Sequence, residues 1–202
     1  VLTASTFGTG GNPYWQNLSW PASGSFPTVN LTSSVSAIGA PDPNTAPAVR
    51  TPLIQNVGVP NQRVFYFDFN DADGTTTGGE GGTVTFSFSV PVFNVTFRVY
   101  DIDKNITSDG NNQNYIDRVA VSALGGATVS GSAPGGSPSG NGTVGNPFIG
   151  TTTNNTNNNA SYGDYTLSGR VTSFTLTYTN NIPAGEDGTR MITGIGDLSF
   201  CR

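Results

Sequence analysis

Histidine is absent from this sequence, and cysteine occurs once, at Cys201. Without an imidazole there is no Ser-His-Asp or Cys-His pair and no histidine-rich zinc site. A single thiol removes thiolate zinc sites, iron–sulfur clusters, dithiol redox motifs and any disulfide within the chain. Cys201 is read as inert or as a link to another molecule. Lysine also occurs once, at Lys104, and eight basic residues against thirteen acidic ones leave a net charge of −5. That balance lacks the positive footprint a phosphate backbone requires, so nucleic acid is not an expected partner. No apolar run approaches the roughly 18 residues of a membrane-spanning helix. No basic amphipathic segment suits an anionic lipid surface.

The charged fraction is 10%, against roughly 25% in an ordinary globular domain, and Thr, Ser, Asn and 27 Gly take up the difference. Hydroxyls and amides therefore carry solubility, a composition typical of exported β proteins. An extracellular or cell-surface location is expected, with a leader removed ahead of Val1. Seven Asn-x-Ser/Thr triplets, starting at Asn17, Asn30, Asn94, Asn105, Asn141, Asn154 and Asn159, would be glycan acceptors in a eukaryotic or archaeal setting. In most bacteria they would only reflect composition.

No window keeps an apolar stripe at helical spacing, while alternation of period two recurs, so the class is all-β. Strands are expected over Val64–Phe69, Val84–Val90, Val95–Val99, around Val119 and Val121, over Phe174–Tyr178, and over Ile192–Phe200. Pro91 predicts a turn or bulge between the second and third. The N-terminal segment offers two more strands, with Val29, Leu31, Val35 and Ile38 alternating loosely. Five prolines between positions 40 and 60 predict an irregular crossing. One domain of this length closes as an antiparallel two-sheet β-sandwich, in all expectation of jelly-roll type. Residues 125–164 form a Gly/Ser/Asn-rich insertion. Ordering such a tract costs roughly 1 to 2 kcal/mol per residue of backbone entropy, with few apolar groups to offset it. Contact with neighbouring copies is the expected source of order.

Carboxylate chemistry is the one catalytic route left open, but Glu80 and Glu186 lie in Gly-rich loops where nothing apolar would raise a pKa for an acid role. No enzyme is expected. The aspartates are more ordered: Asp71 and Asp73 sit in Asn-Asp-Ala-Asp-Gly, and Asp101 and Asp103 in Asp-Ile-Asp-Lys-Asn. An extended Asp-x-Asp presents two carboxylates on one side, which suits a structural calcium ion. The same residues also cap turns by bonding their own backbone, and the two readings stand side by side. Lys104 is read as a solvated loop cation rather than a partner in an internal cross-link. For a sugar, the available aromatic platforms are Tyr14, Trp15 and Trp20, or Tyr162 and Tyr165. Core or inter-subunit packing is the plainer role for all of them.

The stretch from Gly82 to Asp103, Asp-Arg-Val-Ala-Val-Ser from Asp117, and Ile-Gly-Asp-Leu-Ser-Phe from Ile195 together resemble a recurring non-catalytic β-sandwich module of secreted bacterial surface proteins. The closing strand is also similar to that of jelly-roll carbohydrate-binding modules. That likeness implies a calcium ligand at Asp197. The expected function is thus an extracellular structural or adhesive subunit that associates with copies of itself, into a filament, sheet or surface layer. A carbohydrate-binding module that recognises glycans at a cell surface is the rival.

Overall fold

The computed structural model describes residues 19–21, 30–38, 48–50, 65–69, 81–106, 114–134, 137–153, 161–182 and 191–202. These form twelve strands and, among the described residues, no helix. In chain order they are β1 (Ser19–Pro21), β2 (Asn30–Ile38), β3 (Ala48–Arg50), β4 (Phe65–Phe69), β5 (Gly81–Tyr100), β6 (Lys104–Asn105), β7 (Tyr115–Leu124), β8 (Thr128–Ser132), β9 (Phe148–Ile149), β10 (Tyr162–Asn180), β11 (Met191–Ile195) and β12 (Ser199–Cys201). The main path runs β3-β4-β11-β5-β10-β7-β6. Strands β2 and β12 join β5, β8 joins β10, β1 joins β2 and β9 joins β7. Every named strand pair is antiparallel. The sheet curls into a half-barrel.

Curling follows from three strands that break at one level. In β5 the core-facing residues are Val84, Phe86 and Phe88, then Val92, then Val95, Phe97 and Val99, so the alternation changes frame. The change lies at Asn94, whose φ of 52° is left-handed and which faces both Ser168 and Gly169 of β10. Asn tolerates that conformation better than most side chains, and its Oδ1 accepts the Gly169 N–H at 3.2 Å. A second irregularity sets residues 88–91 of β5 opposite Thr172 alone, which gives Pro91 a place without a ladder donor. The proline therefore marks a bulge inside one 20-residue strand, not a turn between two. On the far side of β10, Gly125 and Gly126 break the course from β7 to β8 with φ of 105° and 94°.

Aromatic stacking shows how far the bend goes. Phe86 and Phe97 are eleven residues apart in β5, roughly 36 Å along a straight strand, yet each ring centroid lies 5.0 Å from that of Phe174. Phe97 stacks in turn on Tyr165 at 5.1 Å, and Tyr165 meets the edge of Phe148 at 5.3 Å. One continuous apolar column thus joins the two halves of the curled sheet.

Phe148 comes from the Gly/Ser/Asn-rich insertion, and its side chain is completely buried. Its ring lies so close to Gly163 that a Cβ there would come within 2.3 Å of it. Backbone bonds between Ser139 and Ile149, and from Val121 N–H to Gly142 C=O, hold the rest of the segment. The described parts of 125–164 are therefore ordered from within the chain: Phe148, with Ala127, Val129 and Ala133 beside the core, supplies apolar contact, and sheet hydrogen bonds do the remainder. The expectation that neighbouring copies must order this tract is corrected on that ground.

Candidate functional site

Three of the described acidic residues gather where β5 ends. Asp101 (φ 62°), Asp103 and Asn105 follow Tyr100 into the interior, each 5% exposed or less, and Asp117 enters from β7 at 1%. The chain can run so deep because other backbone closes over it. Asp103 C=O accepts the Asp117 N–H at 3.0 Å, the Gly150 N–H bonds Asp117 C=O at 2.9 Å, and Lys104 N–H bonds Thr152 C=O at 3.1 Å. Gly150 lies against Asp103 so closely that a Cβ would fall 2.0 Å from its carbonyl oxygen. The Ser161 hydroxyl donates to Ile102 C=O.

Both acid side chains are occupied. Asp117 Oδ1 accepts the Tyr178 hydroxyl at 2.5 Å and its Oδ2 accepts the Asp103 N–H at 3.0 Å. Tyr115 hydrogen-bonds the Asp103 carboxyl. Burial is the main force on their protonation, since low dielectric disfavours the ion. It pushes Asp103 up to about 7, against a partial pull downward from Tyr115. It lifts Asp117 well above the carboxylate range, with the neighbouring Asp103 charge adding to the effect. The same burial, followed by the aspartate charges, raises Tyr115 and Tyr178, so both phenols stay donors. Asn180, fully buried, completes the wall by accepting the N–H groups of Ile116 and Ile182 at 3.1 and 3.2 Å.

Of the calcium ligands expected from sequence, Asp101 and Asp103 come together here. Asp197 is exposed in the turn between β11 and β12, and Asp71 and Asp73 lie outside the described residues. Asp117 is the member the sequence reading passed over. Its signal was there, because carrying the alternation of Val119 and Val121 back by two residues puts Asp117 on the same inward face. Among the described residues no three His, Cys, Asp or Glu side chains are placed to hold a metal ion. The Asp103 and Asp117 oxygens point at phenols and a backbone N–H instead.

The aromatic platforms fare differently. Tyr14 and Trp15 lie outside the described residues, and Trp20 is described only as a backbone position of β1, opposite Leu31. Tyr165 is 1% exposed and belongs to the core, with a hydroxyl that has no partner. Tyr162 is half-buried, and Arg98 sits 3.7 Å above its ring centre. The guanidinium is fixed there by a two-pronged bond to Asp164, its neighbour across the strands, at 2.6 and 2.9 Å. Much of the outward face of β5 and β10 carries hydroxyls: Thr83, Thr85 and Ser87 of β5 stand opposite Thr177, Thr175 and Ser173 of β10, and Thr96 opposite Thr166. Thr85 and Thr175 bond each other at 2.8 Å. Lys104 occupies the short strand β6 rather than an open loop. No protein-family model, no curated protein and no solved structure matches the chain.

Proposed function

We propose that this chain is a non-catalytic structural or adhesive domain of an extracellular surface, that it associates with copies of itself, and that its half-barrel is one wall of a jelly-roll-type sandwich. The observation that carries this is the register-matched Thr/Ser ladder across β5 and β10. Such a face makes broad neutral contacts and raises no charge repulsion between identical copies. The buried acids add to the case, because Asp103 and Asp117 are spent on holding the Asp101–Asn105 segment against β7. Motif resemblance to β-sandwich modules of secreted bacterial surface proteins points the same way. A sugar site would want a free aromatic face, whereas Tyr165 is buried and the Tyr162 ring is covered by Arg98. Structural calcium is retained as a proposal with the same candidate ligands, Asp71, Asp73, Asp101, Asp103 and Asp197.

Sedimentation of the purified chain over a wide concentration range, with electron microscopy of material from its native source, tests the proposal. Concentration-dependent oligomers support it. Strict monomers that give a hit on a glycan array replace it with the carbohydrate-binding reading.

A further inference from the structure

The self-association proposed above leaves open which surface is used, and the two strands lining one side of β10 differ in a telling way. β7 runs along Ser173–Asn180 and β8 along Asp164–Ser168. The outer edge of β7 is taken, since β9 pairs with Arg118 and Val119, and Val121 N–H donates to Gly142 C=O at 2.8 Å. Among the described residues β8 forms a ladder with β10 alone, and no other described segment sends a backbone hydrogen bond to Thr128–Ser132. Thr128, Ser130 and Ser132 are exposed, while Val129 and Gly131 lie half-buried toward the core. Natural edge strands are blunted by lysine, proline, a bulge or a cover. The sequence Thr-Val-Ser-Gly-Ser has no charge and no proline; Asn141 and Phe148 pack on Gly131 from the core side, and no described backbone bonds the outer edge.

A row of unpaired backbone groups in extended geometry is satisfied by another extended strand. We propose that β8 pairs antiparallel with β8 of a second copy about a two-fold axis at Ser130, joining two half-barrels through one sheet. The segment is self-complementary in that register. Ser130 meets its own counterpart and Thr128 meets Ser132, so every outward pair is a hydroxyl pair. Val129 meets Gly131, whose core side is filled by the Asn141 carbonyl and the Phe148 ring, so Val129 extends an existing apolar contact. All five residues are paired, whereas a slip of two residues strands one end. Because the register is symmetric about Ser130, the free N–H and C=O groups match whichever alternate set β10 leaves outward. A two-fold contact closes at two copies, so a larger array requires a second contact elsewhere.

Cysteine placement tests this against a Cys201→Ser background, with folding checked by circular dichroism. Under mild oxidation Ser130→Cys should give disulfide-linked dimers. Thr128→Cys and Ser132→Cys should each fail alone and cross-link when mixed. Ser130→Lys puts two cations face to face and should weaken dimerisation by about tenfold or more. Equal cross-linking at all three positions, or dimers indifferent to Ser130→Lys, would overturn the β8 contact while self-association survives. A chain monomeric at every concentration overturns both.

Discussion

Replacing Asp103 by Asn should make the protein more stable at pH 8 and leave it nearly unchanged at pH 4.5. The reason is linkage. Asp103 titrates at about 7 in the folded chain against an ordinary 3.8, so between those values the folded state holds a proton the unfolded state has released. A raised carboxylate contributes stability that is fully present below the ordinary value and is lost as pH rises through the folded one. A gap of about three pH units at about 1.4 kcal/mol each makes that loss about 4 kcal/mol by pH 8, or roughly 10 °C of melting temperature. Asp117, shifted in the same direction by the same burial, steepens the decline. Asn keeps an oxygen to accept the Tyr115 hydroxyl and cannot ionise, so the variant should lose most of the slope. Urea unfolding at pH 4.5, 6, 7 and 8, with and without a calcium chelator, measures it. Wild-type stability that is flat or rises from pH 5 to 8 would refute the argument. If stability at pH 8 falls on chelation and Asp103→Asn is the weaker protein there, a cation holds the cluster and the calcium proposal takes its place.

Phe148→Ala should cost about 3 to 5 kcal/mol, because the ring is fully buried against Tyr165 and Gly163; limited proteolysis should then cut first within residues 137–150, and a nick elsewhere would count against the anchoring role. At the bend, Asn94→Gly should cost no more than about 1 kcal/mol, whereas Asn94→Val should cost at least about 1 to 2 kcal/mol for a left-handed backbone that a branched side chain resists. Thermal unfolding of the pair checks it, and equal losses would show that φ at this position is not what matters.

The strands with strict alternation were legible from the period alone. Val84 to Val90, Val95 to Val99 and Phe174 to Tyr178 all lie where the period placed them, and the all-β, antiparallel class followed. What could not be read was that the first two are one strand. Pro91 looks like a terminator because the missing N–H is visible in the sequence, while the bulge that makes the N–H unnecessary depends on Thr172, some eighty residues away. The same limit hid β10, which reaches back to Tyr162 through Ser168, Gly169 and Arg170, a stretch that reads as loop until Asn94 is known to face it. Composition also misled over residues 125–164, where Phe148, with Ala127, Val129 and Ala133 against the core, outweighs the Gly and Ser around it because its pocket is assembled from β8 and β10. In the acid cluster, Asp101 and Asp103 stood out by spacing. Asp117 required seeing that its strand, which begins at Tyr115, runs back past Val119 and takes in Asp117 two residues earlier.

The central ladder joins Gly81–Tyr100 to Tyr162–Thr179, residues roughly 60 to 100 positions apart in the chain. Pairing of such long range closes slowly, on the scale of milliseconds to seconds, because loop entropy is lost before any contact offsets it. Until β10 has emerged from the ribosome, β5 can take β2 on one side but has nothing for the other, and Phe86, Phe88 and Phe97 remain without the Phe174 ring that gathers them. From the completion of β5 at Tyr100 until β10 ends at Asn180, some eighty residues later, the nascent chain therefore presents an unpaired aromatic strand edge, which makes β5 a segment a holding chaperone would grip.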